Sequence, residues 1–206
     1  MNTPKVPLPF SIRTYSIKAL QKLNTDVYGA VNARDFEISD MACRLMRYNS
    51  RVSLWVRKQE TDMLGYHLCV MLSWICGLAN RLHIDISQAL MDSCGADACF
   101  ADAPFSELQI AFSARHPATQ LPSAALCLSE KTQAIASALE YYRTTHAEEH
   151  FRDATHRIAQ TVEALCVVSS KLGVHLSEEL QRHFSYGCSK CRSVPCLCGF
   201  RADKVH

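Results

Sequence analysis

The sequence predicts an all-α fold, and three observations predict it. Apolar residues recur at helical spacing over most of the chain, no alternating apolar run is bounded by hairpin turns, and one helix–corner–helix unit occurs twice. Sliding the sequence from 78 to 168 lays Cys76, Leu78, Leu82, Ile84, Ile86, Ser87 and Leu90 over Cys166, Val168, Leu172, Val174, Leu176, Ser177 and Leu180. In both copies a long apolar run ends in a basic residue and a leucine (Arg81-Leu82, Lys171-Leu172), turns a tight corner and restarts as a short helix. A duplicated unit of this kind predicts a pseudo-symmetric helical bundle, here followed by a small Cys-rich tail.

Each element has its own warrant. Residues 1–14 form a Pro-rich lead-in, and a first helix starts near Ser16 with Ile17, Leu20, Leu23 and Val27 on one face. A second helix spans about 36–58, where Ile38, Met41, Ala42, Leu45, Val52, Trp55 and Val56 make one apolar stripe. A third runs over about 62–82, and a short fourth begins at Ser87, whose hydroxyl suits an orphan backbone N–H. Residues 94–122 carry Gly95, Pro104, Pro117 and Pro122 and read as a connection. Within it SELQIAFSARH looks helical, starts 90 positions after Ser16 and echoes helix one. Residues 123–144, 147–172 and 177–185 repeat helices two, three and four, with Ser177 in the place of Ser87 and Glu178 and Glu179 favouring the positive helix end. The chain thus divides into a lead-in (1–14), a first repeat (15–93), a connection (94–122), a second repeat (123–186) and a tail (187–206).

Composition bounds the function. At 206 residues the chain is long enough to bury roughly two-thirds of its unfolded surface. The net charge of +2 offers no field for nucleic acid, so any such binding must be local. Of eleven cysteines four cluster at the C-terminus, and the other seven lie singly in apolar patterns or in the connection. That usage suits a reducing compartment, and the lack of a signal-peptide core or uninterrupted apolar span predicts a soluble cytoplasmic protein with no membrane role.

Three constellations carry chemistry. In the tail, Cys188, Cys191, Cys196 and Cys198 are spaced C-x2-C-x4-C-x-C; four thiolates satisfy a tetrahedral Zn²⁺, and a closed site would fold a segment too short to bury a core. An iron–sulfur cluster, a redox switch and a disordered thiol-rich tail are the alternatives. On helix two, Arg44, Arg47 and Arg51 share a face with Tyr48 at its boundary, and Lys58 lies farther along. Planar guanidinium forks suit phosphate oxygens, although a solvated basic face is the plainer reading. Acidic residues gather at Glu60 and Asp62 and again at Glu148, Glu149 and Asp153, where they suit the start of helix three and of its repeat. His146, Glu149, His150 and Asp153 also fall at helical spacing, and HAEEH matches the H-x-x-E-H zinc arrangement without a third ligand in view. Trp55 reads as core, and His67, His83 and His175 read as packing or corner residues.

The pattern at 78–90 (apolar helix, small-polar-basic-Leu, corner, Ile-Asp-Ile, short helix) resembles the end of the helical core of MazG-like, all-α nucleoside triphosphate pyrophosphohydrolases, relatives of the dimeric dUTPases. RLMRYNSRVSLWVRK at 44–58 is similar in spacing to that family's first core helix, and some MazG-like proteins carry similar Cys-rich tails. The resemblance implies acidic pairs on two helices holding Mg²⁺ against a triphosphate, because a hard cation needs oxygen ligands. Those positions fall here on Arg47 or Tyr48, Arg51, His67 and Val70 in the first copy, and on Glu130, Ala134, Arg157 and Gln160 in the second. One acid in such a set does not make a magnesium cage. The expectation is therefore a nucleotide-binding relative that has lost most metal-binding carboxylates, with Arg44, Arg47, Tyr48 and Arg51 facing a nucleotide or other phosphate ligand. If the chain is active, it is a pyrophosphohydrolase (diphosphatase) using Mg²⁺ and some of Glu130, Glu149 and Asp153. The alternative is a non-enzymatic scaffold or protein-interaction module with a structural zinc tail. Either version could self-associate, although one duplicated chain could do what relatives build from two.

Overall fold

The computed structural model describes residues 14–58, 63–94 and 102–198, so the expectations for the lead-in before residue 14 and for Glu60, Asp62 and Gly95 lie outside it. The fold is all-α, with eight helices and no strand among the described residues: α1 (Ile17–Asp35), α2 (Ile38–Lys58), α3 (Leu64–Arg81), α4 (Ile86–Cys94), α5 (Phe105–Arg115), α6 (Leu121–Thr145), α7 (Glu148–Lys171) and α8 (Leu176–Phe184). None of these helices is long and apolar enough to cross a membrane.

The packing follows the duplication. α2, α3, α6 and α7 form the centre, with α2 on α3, α6 on α7, α2 on α6 and α3 on α7. α1 flanks α3 and α5 flanks α7, while the short helices cross over, α4 lying on α7 and α8 on α3. Exchanging α1–α4 for α5–α8 leaves this set of pairs unchanged. The reason lies in the buried faces: Leu68, Leu72, Ile75, Cys76 and Leu78 are buried on α3, and Ile158, Val162, Leu165, Cys166 and Val168 are buried at the same spacing on α7. Each helix presents one apolar side that water disfavours and only another such side can cover.

Register differs between elements. α3 with α4 maps onto α7 with α8 by a shift of 90, but Met41, Leu45, Asn49 and Val52 on α2 match the buried Ala124, Leu128, Thr132 and Ile135 on α6 by a shift of 83. The segment expected as an echo of helix one is helix α5, yet Ser106 is not the counterpart of Ser16. Ile17 and Leu20 match Phe105 and Leu108, a shift of 88, and Pro104 stands at the N-cap. Pro122 does not precede α6 but sits in its first turn, where a missing N–H costs nothing.

Two expected caps are corrected. Ser16 does cap α1, accepting from the Ala19 N–H at 3.2 Å, but Ser87 and Ser177 lie inside their helices and are buried. α4 is capped instead by Asp85, whose Oδ1 accepts from the N–H of Ser87 at 2.9 Å and of Gln88 at 3.2 Å. α8 starts at Leu176 after His175, which makes no side-chain cap bond. A glutamine from a distant helix supplies the bond: Gln109 Oε1 accepts from Leu176 N–H at 3.1 Å while its Nε2 donates to Val174 O at 2.7 Å. Gln21 does the same in the first repeat, accepting from Ile86 N–H at 3.1 Å and donating to Ile84 O at 2.6 Å. Each corner segment is thereby clasped to the flanking helix.

Candidate metal centre

The tail leaves α8 through Gly187 and folds back on α1. Gly187 has φ +96°, and a Cβ there would lie 2.5 Å from Val194 Cγ2 and 2.6 Å from Ser193 O, so only glycine fits. The turn closes with Arg192 N–H donating to Cys188 O at 2.9 Å and Cys188 N–H to Ser193 O at 3.1 Å. Cys196 N–H then donates to Val27 O at 2.7 Å, and Ser189 N–H to the Tyr28 hydroxyl at 3.3 Å. Cys188 and Cys196 pack with Val27 and Val31, a small apolar cluster of its own.

These bonds bring the four cysteines together. Their Sγ atoms all lie within 4.8 Å of one another, with Cys188 to Cys198 at 3.7 Å and Cys191 to Cys196 at 3.9 Å. Zinc–sulfur bonds of about 2.3 Å place the sulfurs of a regular tetrahedron about 3.8 Å apart. The spacing is too long for a disulfide and too tight for a cubane cluster, which spreads its thiolates over separate irons. It suits one small tetrahedral cation such as zinc.

Backbone donors reach three of the four sulfurs. Backbone N–H groups of Lys190, Leu197 and Cys198 donate to the sulfurs of Cys188, Cys191 and Cys196 at 3.5, 3.3 and 3.5 Å. At Cys191 partial burial works against ionisation, but the Leu197 and Ser193 bonds and the neighbouring thiols outweigh it and bring the pKa down to about 6. Burial raises Cys196, and burial with the bond to Cys188 raises Cys198 to about 11. Cys191 gives up its proton readily while Cys196 and Cys198 hold theirs, a charge pattern that a divalent cation reverses. The helical cysteines contrast with this: burial pushes Cys76 up to about 12, and burial reinforced by the charges of Glu179 and Glu163 holds Cys69 and Cys166 above the ordinary thiol range.

The other candidate residues do not converge. Glu130 is exposed on α6 and Glu149 is exposed in the first turn of α7. Asp153 is paired with Arg157 at 3.0 Å. HAEEH does not lie on one helix, because His146 caps the end of α6 in left-handed conformation while α7 begins only at Glu148. His150 Nδ1 faces Thr145 Oγ1 at 2.6 Å, and among the described residues the tail is the one group of potential ligands.

At the positions the resemblance assigns to carboxylates, the second repeat has a closed polar network. Lys131 Nζ donates to Gln160 Oε1 at 3.0 Å, Arg157 bonds Asp153, and Gln160 Nε2 meets His156 Nε2 at 2.8 Å. In the first repeat Tyr48, Trp55 and Tyr66 ring His67 with centroids 5.7, 6.2 and 5.7 Å away. Burial, then the charge of Arg51, lowers the His67 pKa, and its Nδ1 is buried without a hydrogen-bond partner. Arg51 lies over the Tyr48 ring and Arg44 over Phe36, while Arg47 is exposed. Comparison with protein-family models, with curated proteins and with solved structures finds no match to this chain.

Reading the sequence alone missed Gln21 and Gln109, because the two helices carrying them align only at a shift of 88. It also missed Val27 and Tyr28 as the anchor of the tail, since a backbone carbonyl leaves no mark in the side-chain pattern.

Proposed function

We propose that this chain is a non-enzymatic helical scaffold, a duplicated and divergent MazG-like bundle of a reducing cytoplasm, whose tail holds a structural zinc ion and serves as a protein-interaction module. The observation that carries the reading is the Lys131–Gln160–Arg157–Asp153 network. A magnesium site needs several oxygens converging without competing cations, and here Arg157 stands at one assigned position and pairs with Asp153, Lys131 bonds Gln160 at another, and Glu130, the one assigned carboxylate, is exposed. In the other repeat the same positions hold Tyr48, Arg51 and His67, none of which offers an anionic oxygen. The four-cysteine geometry supports the zinc half of the reading.

Mg²⁺-dependent pyrophosphate release from a panel of nucleoside triphosphates tests it. No release above buffer is expected; release that disappears in Glu130→Gln or Glu149→Gln would overturn the scaffold reading. Elemental analysis of protein purified without chelator should return one zinc per chain.

A phosphate-binding role is the second reading, favoured by the exposed Arg47 next to Tyr48 and Arg51 on one face of α2. A nucleotide that raises the melting temperature of the wild type but not of Arg47→Ala would support it.

A further inference from the structure

The tail's own turns supply backbone N–H groups to its sulfurs, from Lys190, Leu197 and Cys198. A further donor comes from α1. The Tyr28 hydroxyl accepts from the Ser189 N–H at 3.3 Å and bonds the Cys188 side chain beside it. A hydroxyl oxygen that accepts from an amide still has its own proton to give, and the Cys188 sulfur is the acceptor beside it. Burial, and after it the Cys188 charge, raises the Tyr28 pKa, so the phenol keeps that proton.

The hydroxyl is held in place from two sides. The Tyr28 ring meets the Phe184 ring edge-on with centroids 6.5 Å apart, and Phe184 is the buried last residue of α8. One residue earlier, Val27 O accepts from the Cys196 N–H at 2.7 Å, and the Val27 side chain packs with Cys188 and Cys196. Tyr28 thus stands where α1, the end of α8 and the first cysteine of the tail meet. The second repeat has no equivalent, because the shift of 88 places His116 at this position, where its Nε2 lies 3.2 Å from Glu163 Oε1.

Four thiolates bring more negative charge to a divalent cation than it neutralises, and hydrogen bonds to sulfur draw off part of the excess. Groups bonded to metal ligands also orient them, and losing one costs about 10–100-fold in metal affinity. We infer that Tyr28 is a positioning residue of the metal centre, its hydroxyl donating to the Cys188 sulfur, so that a helix of the first repeat takes part in metal binding. This inference rests on the zinc reading of the tail.

The full chain and its Tyr28→Phe variant are titrated with Zn²⁺ against a chromophoric chelator and, separately, loaded with Co²⁺. Phenylalanine keeps the ring on Phe184 and removes the oxygen alone. Tyr28→Phe should still take one zinc per chain, about tenfold more weakly. In its Co²⁺ form the sulfur-to-cobalt charge-transfer band should move to longer wavelength, since a sulfur relieved of a hydrogen bond holds its electrons less tightly. Lost packing alone does not move that band. Zinc affinity within about twofold of wild type, or a band that stays in place, would overturn the inference and leave the zinc reading standing. A wild type that takes up neither metal would overturn the zinc reading itself, and the inference with it. If Tyr28→Phe does not fold, proton NMR of the Co²⁺-loaded wild type decides: Tyr28 ring protons displaced by the paramagnetic ion support the contact, and ring protons at their diamagnetic positions overturn it.

Discussion

At the corner after α3 and the corner after α7 the chain makes the same bonds. Ile84 N–H donates to Ala79 O and Val174 N–H to Ser169 O, both at 2.8 Å, and a glutamine from the flanking helix clasps each segment. Nearby the halves part company: the first has Asn24, Tyr28 and Ser73 lining a cleft, the second a buried Phe112 and a His116 bonded to Glu163. The tail, too, docks on α1, through Val27 and Tyr28, with Arg192 bonded to His183 O of α8. The corner determines how α4 and α8 cross to the opposite repeat, so both halves need it for the bundle to close. The flanks carry no such double duty and are free to diverge, and the four-cysteine tail packs against one of them.

The largest effect that would sharpen this comparison is expected from the clasps. Gln109 is 4% exposed, and Gln109→Ala leaves Val174 O and Leu176 N–H without partners in a dry setting. Unsatisfied buried groups cost about 1–3 kcal/mol each, so urea unfolding should report a loss of about 2–6 kcal/mol. Gln21 is only half-buried, water can replace it, and Gln21→Ala should cost about 1 kcal/mol. Equal losses would mean that the two corners do not differ in wetness.

The next effect separates the tail from the corner. Gly187→Ala meets Val194 and Ser193 at impossible distances, whereas a Cβ on Gly173 (φ +68°) meets nothing within 4 Å. Gly187→Ala should therefore lower bound zinc to well under one per chain and expose Lys190 and Arg192 to trypsin. Gly173→Ala should leave zinc unchanged and cost only about 1–2 kcal/mol of left-handed strain. Full zinc in Gly187→Ala would remove the backbone turn as the reason the sulfurs converge.

Much of this was legible in the residues. The long apolar runs ending at Arg81 and Lys171 gave α3 and α7 within two residues at their C-terminal ends, and C-x2-C-x4-C-x-C named all four sulfurs that meet. What was not legible depended on partners remote in sequence. Ser87 and Ser177 look like caps locally, but Asp85 and Gln109 take that role, and the latter is 67 residues from the N–H it accepts. HAEEH has helical spacing on paper, yet α6 ends inside it, because His146 turns left-handed. The cleft could not be read either, since it depends on aligning α1 with α5 at a shift of 88 that neither apolar pattern announces.

A smaller effect concerns His67, whose counterpart on α7 is Arg157. Burial and Arg51 hold the folded-state pKa of His67 below its ordinary value of 6.5, so the fold prefers the neutral ring. The contribution is whole above pH 6.5 and is lost progressively as pH falls below it toward the depressed folded value, because the unfolded chain takes up the proton first. His67→Gln should flatten the decline of unfolding free energy between about pH 6.5 and 5. A slope unchanged by the substitution would mean that the cage around His67 opens to water.

The smallest effect returns to the corner that both halves share. His83 adopts φ 58° where its counterpart Gly173 adopts φ 68°. A side chain in the left-handed region is disfavoured by about 1 kcal/mol or a little more, whereas glycine pays in the unfolded state for its freedom. His83 is exposed, and its side chain has no packing to lose. His83→Gly should therefore change stability by less than about 1 kcal/mol and in the stabilising direction, and Gly173→His should reverse the sign at the second corner. If both substitutions destabilise, the His83 ring makes a contact at its own corner that Gly173 has no means to make, and the two corners are alike in backbone only.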